Sequence, residues 1–183
     1  MATLTTFTAL TPIRSADVNA NFVAINTEVA GAMRTGYSSG TEIGNIGTGV
    51  DTLHTWSMPA GTIAAAGDGL LIRAIATFAS NANTKALKFV IGAGDPHTLN
   101  GAVTAPNALS ASVDIYVIYI GGNVWITSSR VFYDSEALDI NSVGTTTGQN
   151  PAGALTIKFT GEATATNDIT MQAATISIFK AAS

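Results

Sequence analysis

The sequence predicts an all-β domain, a sandwich or barrel of about eight strands, preceded by one amphipathic helix. Three observations carry that expectation. From residue 41 onward apolar and polar residues alternate with period two. The alternating runs are separated by Gly, Asn, Asp and Pro. Between residues 15 and 33 the period is different: Val18, Phe22, Ile25, Val29 and Ala32 recur in steps of four and three, the seam spacing of paired helices.

The helical stretch is TPIRSADVNANFVAINTEVAGAM, residues 11–33. Pro12 and Ser15 set its start, since a Ser hydroxyl can accept from an exposed N–H of the first turn, and Asp17 suits the positive end of the dipole. Asn19, Asn21, Asn26, Thr27 and Glu28 fall opposite the stripe, and Gly31 and Gly36 mark the end. About 19 residues make a helix roughly 28 Å long. Two heptads are marginal alone in water, so Val18, Phe22, Ile25 and Val29 need a surface. Two are open: the chain's own β domain, or copies of itself or a docking partner. The following GYSSG, residues 36–40, reads as a break. The boundaries expected are an arm over 1–40, for docking or oligomerisation, and a β-sandwich head over 41–183.

Within the head the runs follow in order. TEIGNIGTG and DTLHTWSMPAG open it with Leu53, Trp56 and Met58. GDGLLIRAIATFASNANTK is a turn, a strand and an Asn-rich turn; ALKFVIGAGDPH places Leu87, Phe89 and Ile91 on one face. ASVDIYVIYIGGNVWITSSRVFYD reads as a hairpin: Val113, Ile115, Val117 and Tyr119 run out, Gly-Gly-Asn reverses the chain, and Val124, Ile126, Ser128, Arg130 and Phe132 run back. SVGTTTGQNPAG, residues 142–153, reads as a long surface loop. ALTIKFTGE and NDITMQAATISIFKA close the chain, with Leu155, Ile157 and Phe159, then Ile169, Met171 and Ala173.

Composition limits function. Only 11% of the 183 residues are charged, against about 25% in an average soluble domain. Thr, Ser, Asn and Gly must finish the surface, or part of it is hidden against other subunits. The eight Lys and Arg are scattered, which argues against a nucleic-acid partner, because phosphate binding needs clustered cations. No apolar run reaches the length of a membrane helix, and the first residues do not have the form of a secretory signal. There is no cysteine, hence no disulfide or thiolate site.

Catalytic signals are weak. His54 stands near Asp51 and His97 near Asp95, but no G-x-S-x-G elbow accompanies them. YDSEALD offers Asp134, Glu136 and Asp139 without the regular oxygen ligands of a calcium loop. GNIGTG and GAGDP lack the strand–loop–helix setting of a phosphate cradle. No catalytic residue, metal site or cofactor is expected. Trp125, Tyr116 and Tyr119 are the candidate glycan contacts if their rings face outward, and core residues otherwise.

Two stretches resemble proteins of tailed-phage particles. FTALTPIRSADVNANFVAINTEV, through Thr11, Pro12, Ile13, Ala16, Asp17, Val18, Asn19, Asn21 and Phe22, is similar to the opening of small fibre, head-fibre and decoration proteins. The run from Trp56 to Gly92 is similar to a β module of such particles through Pro59, Ala60, Thr62, Gly67, Asp68, Gly69, Asn81, Asn83 and Lys85. The resemblance implies a jelly-roll-like antiparallel β-sandwich, a homotrimer, a place on the virion surface, and docking on the phage major capsid protein or another virion protein. It fits a capsid decoration (cement) or head-fibre protein first. A tail fibre that binds a host glycan is the alternative.

Overall fold

The computed structural model describes residues 33–99, 103–104, 109–134 and 140–181. The expected helix and its stripe, Val18, Phe22, Ile25 and Val29, lie outside them. In chain order the strands are β1 (Arg34–Ser39), β2 (Ile43–Gly44), β3 (Gly49–Met58), β4 (Gly69–Phe78), β5 (Thr84–Ile91) and β6 (His97–Thr98). They continue with β7 (Val103–Thr104), β8 (Leu109–Gly121), β9 (Val124–Tyr133), β10 (Ile140–Thr146), β11 (Leu155–Ala163) and β12 (Ile169–Phe179). The described residues are all-β, in two sheets whose paired strands run antiparallel. The large sheet has the order β1-β12-β4-β8-β9-β10, with β2 also on β12; the small one has the order β3-β11-β5-β6, with β7 also on β5.

Alternation builds the core. On the large sheet Leu70, Ile72, Ala74, Ala76 and Phe78 of β4 turn inward beside Val113, Ile115 and Val117 of β8 and Ala174, Ile176 and Ile178 of β12. The small sheet answers with Leu53, Leu87, Phe89, Ile91, Ile157 and Phe159; Phe89 and Phe159 meet edge to face at 5.7 Å. Each of these side chains leaves water on one face only, so period two suffices to specify the layer.

Asp68 and Asp168 stand just before the central strands β4 and β12, which run antiparallel, so the two aspartates sit at opposite ends of that pair. The same turn builds both. Asp68 Oδ2 accepts from Ala65 N (3.1 Å), and Asp168 Oδ2 from Ala165 N (2.9 Å), each three residues back. Each turn passes through a positive φ on the residue before the aspartate, Gly67 at 93° and Asn167 at 60°, a conformation that Gly and Asn tolerate best. Asp68 also accepts from Ala64 N, Ala181 N and the Lys180 ammonium, which fastens the end of the chain to the front of β4. Asp168 accepts from the side-chain amides of Asn81 (2.6 Å) and Asn83 (2.9 Å). Between those two residues lies Lys85, fully buried, whose ammonium donates to Asn81 O, Asn81 Oδ1 and Asn83 O. Burial alone would raise the Asp168 pKa; its amide donors and the Lys85 charge outweigh that and hold it low.

Histidines close the open sides of the sandwich. Tyr37 on β1 and His54 on β3 meet through Tyr37 Oη and His54 Nδ1 at 2.9 Å. His97 on β6 reaches Ser129 on β9 at 3.0 Å and packs against Gly144 of β10, where any Cβ would collide with the imidazole. Burial lowers the pKa of both histidines; the Thr41 backbone opposes part of the effect at His54.

Four readings of the sequence need correction. GYSSG is not a break: it lies in β1, paired with β12 from Arg34↔Ile178 to Ser39↔Ala174, so the head begins before residue 41. Gly36 lets the strand lie close to the core, since a Cβ there would come within 3.0 Å of Ile178 and the Trp56 ring. Residues 142–153 are not one loop: Ile140–Thr146 is β10, paired with β9 throughout. Its small polar side chains suit a sheet edge and imitate loop composition. The return strand of the hairpin turns the other series inward: Trp125, Thr127, Ser129, Val131 and Tyr133 are buried, while Ile126, Ser128 and Arg130 face out. The register shift between Tyr119 and Gly121, just ahead of the positive-φ pair Gly122-Asn123, inserts the residue that flips the parity. With it Trp125 becomes core, its indole N–H donating to Gln149 O at 2.7 Å.

Replacing Asp168 by Ala removes a carboxylate whose charge favours the buried Lys85 ammonium and strands the side-chain amide donors of Asn81 and Asn83. Urea unfolding should show a loss of about 3 kcal/mol or more; an unchanged midpoint would exclude this account of the joint. The pH dependence follows from the depressed histidines. Below their ordinary value of 6.5 the unfolded chain binds protons that His54 and His97 in the fold resist. Their contribution is therefore full above pH 6.5 and lost as pH falls toward their folded values. The urea midpoint should drop between about pH 7.5 and about 5.5, and His97→Gln should flatten part of that slope. A second loss follows below pH 3.8, where Asp68 begins to protonate in the unfolded chain; burial raises its pKa, but its backbone donors and Lys180 prevail and bring it to about 2.

Candidate functional site

The outward face of the large sheet is where the described residues offer most to a partner. Strand register lines it up in rows. Arg73 on β4, Asp114 on β8, Arg130 on β9 and Asn141 on β10 stand side by side. The next row is Leu71, Tyr116, Ser128 and Val143, and the one after it brings Ile118, Ile126 and Thr145 together. Strand alternation alone puts these residues on one face, because neighbours in a row share the same pleat.

A shallow groove of about 310 Å³ runs over β8, β9 and β10, lined by Asp114, Tyr116, Ser128, Arg130, Asn141 and Val143 among others. Tyr116 is half exposed and packs against Phe179 of β12 at 5.7 Å between ring centres. Arg73 Nε lies 3.7 Å from Asp114 Oδ1, a long and solvent-exposed ion pair, worth little to stability. The Arg130 guanidinium covers the Phe132 ring at 4.1 Å. The groove therefore combines an aromatic ring, one cation, one carboxylate and several hydroxyl and amide groups, with Arg73 beside it. It can hold a partner by apolar contact and hydrogen bonds, and it lacks the paired nucleophile and base that covalent catalysis requires.

The residues singled out from the sequence are dispersed. Of the three candidate glycan contacts, Tyr116 lines the groove. Tyr119 is half-buried and stacks on Trp125 at 5.0 Å. Trp125 is fully buried and presents no ring face to a sugar, which corrects its assignment as a contact. His54 does not meet Asp51, whose carboxylate accepts instead from Ile46 N at 2.8 Å. Asp134 is exposed at the end of β9, its backbone N–H given to Ser110 O; Glu136 and Asp139 lie outside the described residues. No group of three or more His, Cys, Asp or Glu among the described residues is placed to hold a metal.

Arg130, Asn141 and Val143 were missed as groove residues. Arg130 belongs to the returning series Val124, Ile126, Ser128, Arg130 and Phe132, to which the sequence alone assigns no face, and Asn141 and Val143 border or lie in a segment read as loop. The sequence INSVGTT carries no period-two signal, and only its unshifted pairing with β9 shows Ile140–Thr146 to be a strand.

No family model matches this chain, and no curated protein does. Among solved structures, the lectin UEA-II complexed with galactose is similar over 81% of this chain and 92% of its own, with a TM-score of 0.39 and 6% identity. That likeness is too slight to bear on fold or ligand, and the sandwich is read here from its own sheets.

Proposed function

We propose that this chain is a structural protein of a tailed-phage virion, a trimeric capsid decoration or head-fibre protein. Residues 1–35 fasten it to the shell or to sister chains, and a jelly-roll-like head projects from the particle. The observation that carries the reading is the likeness of Thr11–Phe22 to the opening of such virion proteins. The head adds support. Asp68, Asn81, Asn83 and Lys85, four of the residues that carry the second likeness, hold loops at the two ends of the sandwich. Side chains spent in this way suit a rigid body. An assembly that binds the chain only in its formed state is stabilised by that binding through mass action. Tethering several short apolar stripes in one particle raises their effective concentration beyond what an isolated pair could use.

A second reading, a tail fibre or receptor-binding protein gripping a host glycan, is favoured by one feature. Tyr116 is an exposed ring set among Asp114, Ser128, Arg130 and Asn141, the mixture of aromatic face and polar groups that sugar rings use. An enzymatic role has less behind it.

The double substitution Phe22→Asp and Ile25→Asp should reduce the oligomer to monomer by light scattering and abolish attachment to purified particles. Unchanged mass together with unchanged attachment would refute the assigned role of the arm. Copy number per particle separates the two readings: it scales with the capsid lattice for decoration and with the tail for a fibre.

A further inference from the structure

An edge strand has no further strand beside it to cover its inward side chains, so the sandwich is open where β1 of the large sheet meets β3 of the small one. Tyr37 and His54 bridge this side. Next to the bridge the inward series continue with Arg34 and Trp56. Arg34 is the cross-strand neighbour of buried Ile178, and Trp56 of buried Ile157. Cross-strand neighbours share a face, so guanidinium and indole both belong to the gap between the sheets. The gap holds a slot of about 360 Å³, bordered also by the turn over residues 59–62 and by Lys180.

The walls of the slot are fixed. Gly36, the bulged residue of β1, lies so near the indole that a Cβ would stand 3.0 Å from it. The ring is half-buried and wedged against the core, so a ligand that packs on it need not order it first. The Thr62 N–H and hydroxyl both donate to Pro59 O, and the Thr62 carbonyl accepts from Lys180. The Lys180 ammonium is matched by Asp68 at 2.9 Å. Arg34 differs: among the described residues no hydrogen bond or ion pair engages its guanidinium.

We propose that this slot binds a carboxylated pyranose, the uronic acid unit of an acidic glycan. The C–H face of the sugar packs on Trp56. The carboxylate takes two N–H groups of Arg34 in the forked geometry that guanidinium offers and ammonium does not. A sugar hydroxyl donates to Thr62 Oγ1, whose own proton is already given to Pro59 O. A neutral hexose uses the ring and leaves Arg34 to water. A simple carboxylate uses Arg34 alone, and a lone exposed ion pair is worth little. The acidic sugar engages both at once. The slot is separate from the Tyr116 groove, and the inference concerns the head alone and depends on neither reading of function.

The chain has two tryptophans, and Trp125 is buried with its N–H given to Gln149 O, so ligand-dependent emission reports Trp56. Glucuronate and glucose differ only at C6, as do galacturonate and galactose. Titrated into the full-length protein at constant ionic strength, at least one uronate should change the emission saturably while its neutral parent does not. Arg34→Gln, at an exposed position, should weaken that response at least about tenfold. Equal responses to acid and neutral sugars would overturn the assignment of the carboxylate to Arg34. So would an unchanged titration in Arg34→Gln. A response that survives Trp56→Phe would place the ligand elsewhere and overturn the site. Absence of any saturable response to either uronate up to about 100 mM would overturn the inference outright, and would leave the docking role of residues 1–35 as it was.

Discussion

Asp68 and Asp168 carry the ends of this sandwich. Each stands at the mouth of a central strand, and each turns its carboxylate back onto the N–H three residues earlier. Each also gathers parts of the chain remote in sequence. Asp68 takes the N–H of Ala181 and the ammonium of Lys180, more than a hundred residues away. Asp168 takes the amides of Asn81 and Asn83, and through them the cage around Lys85. A buried ammonium is tolerable only when its protons are all given to acceptors, and Lys85 has three oxygens for three protons. The sheets are held together by apolar area, which has no direction. The aspartates supply direction, since a register slip in β4 or β12 would leave a carboxylate facing buried N–H groups it could no longer reach.

That division explains what could be read in advance. The inward series of β4, β5, β8, β11 and β12 was legible because burying one face of a strand imposes period two on its side chains. The Gly-Gly-Asn reversal was legible because left-handed backbone there admits few residues; Gly122 and Asn123 have φ of 60° and 61°. The likeness to a phage β module fell on Asp68, Asn81, Asn83 and Lys85, which are the joints themselves. What was hidden depends on pairing partners. One bulged residue before Gly121 reversed the face of β9 and carried Trp125 into the core. β10 and β1 are edge strands whose stability comes from β9 and β12, and their own Ser, Thr and Gly residues say little. The groove was hidden for the same reason, because it spans three strands and exists only once their register is fixed.

The use of charge bears on how such a head can bind anything. The net charge is −4, and few charges are present to begin with. Lys85, Lys180, Asp68 and Asp168 are consumed in the joints, and Lys88 and Glu162 in a pair on the small sheet. What remains on the large sheet is Arg34 at the start of β1 and Arg73, Asp114 and Arg130 in one row, with Arg73 and Asp114 exposed to water. Exposed pairs contribute under about 1 kcal/mol and are screened by salt. Long-range steering by such a surface is weak, and so is repulsion between copies. The balance therefore falls to apolar contact along the rows of Tyr116, Ile126 and Val143, where each Å² removed from water contributes about 25 cal/mol at any ordinary ionic strength. In the proposed assembly a subunit set beside others of its kind would gain from this arrangement. With little charge to keep copies apart, their approach costs little, and the contact that follows is set by shape and apolar area, with the charged row choosing among orientations.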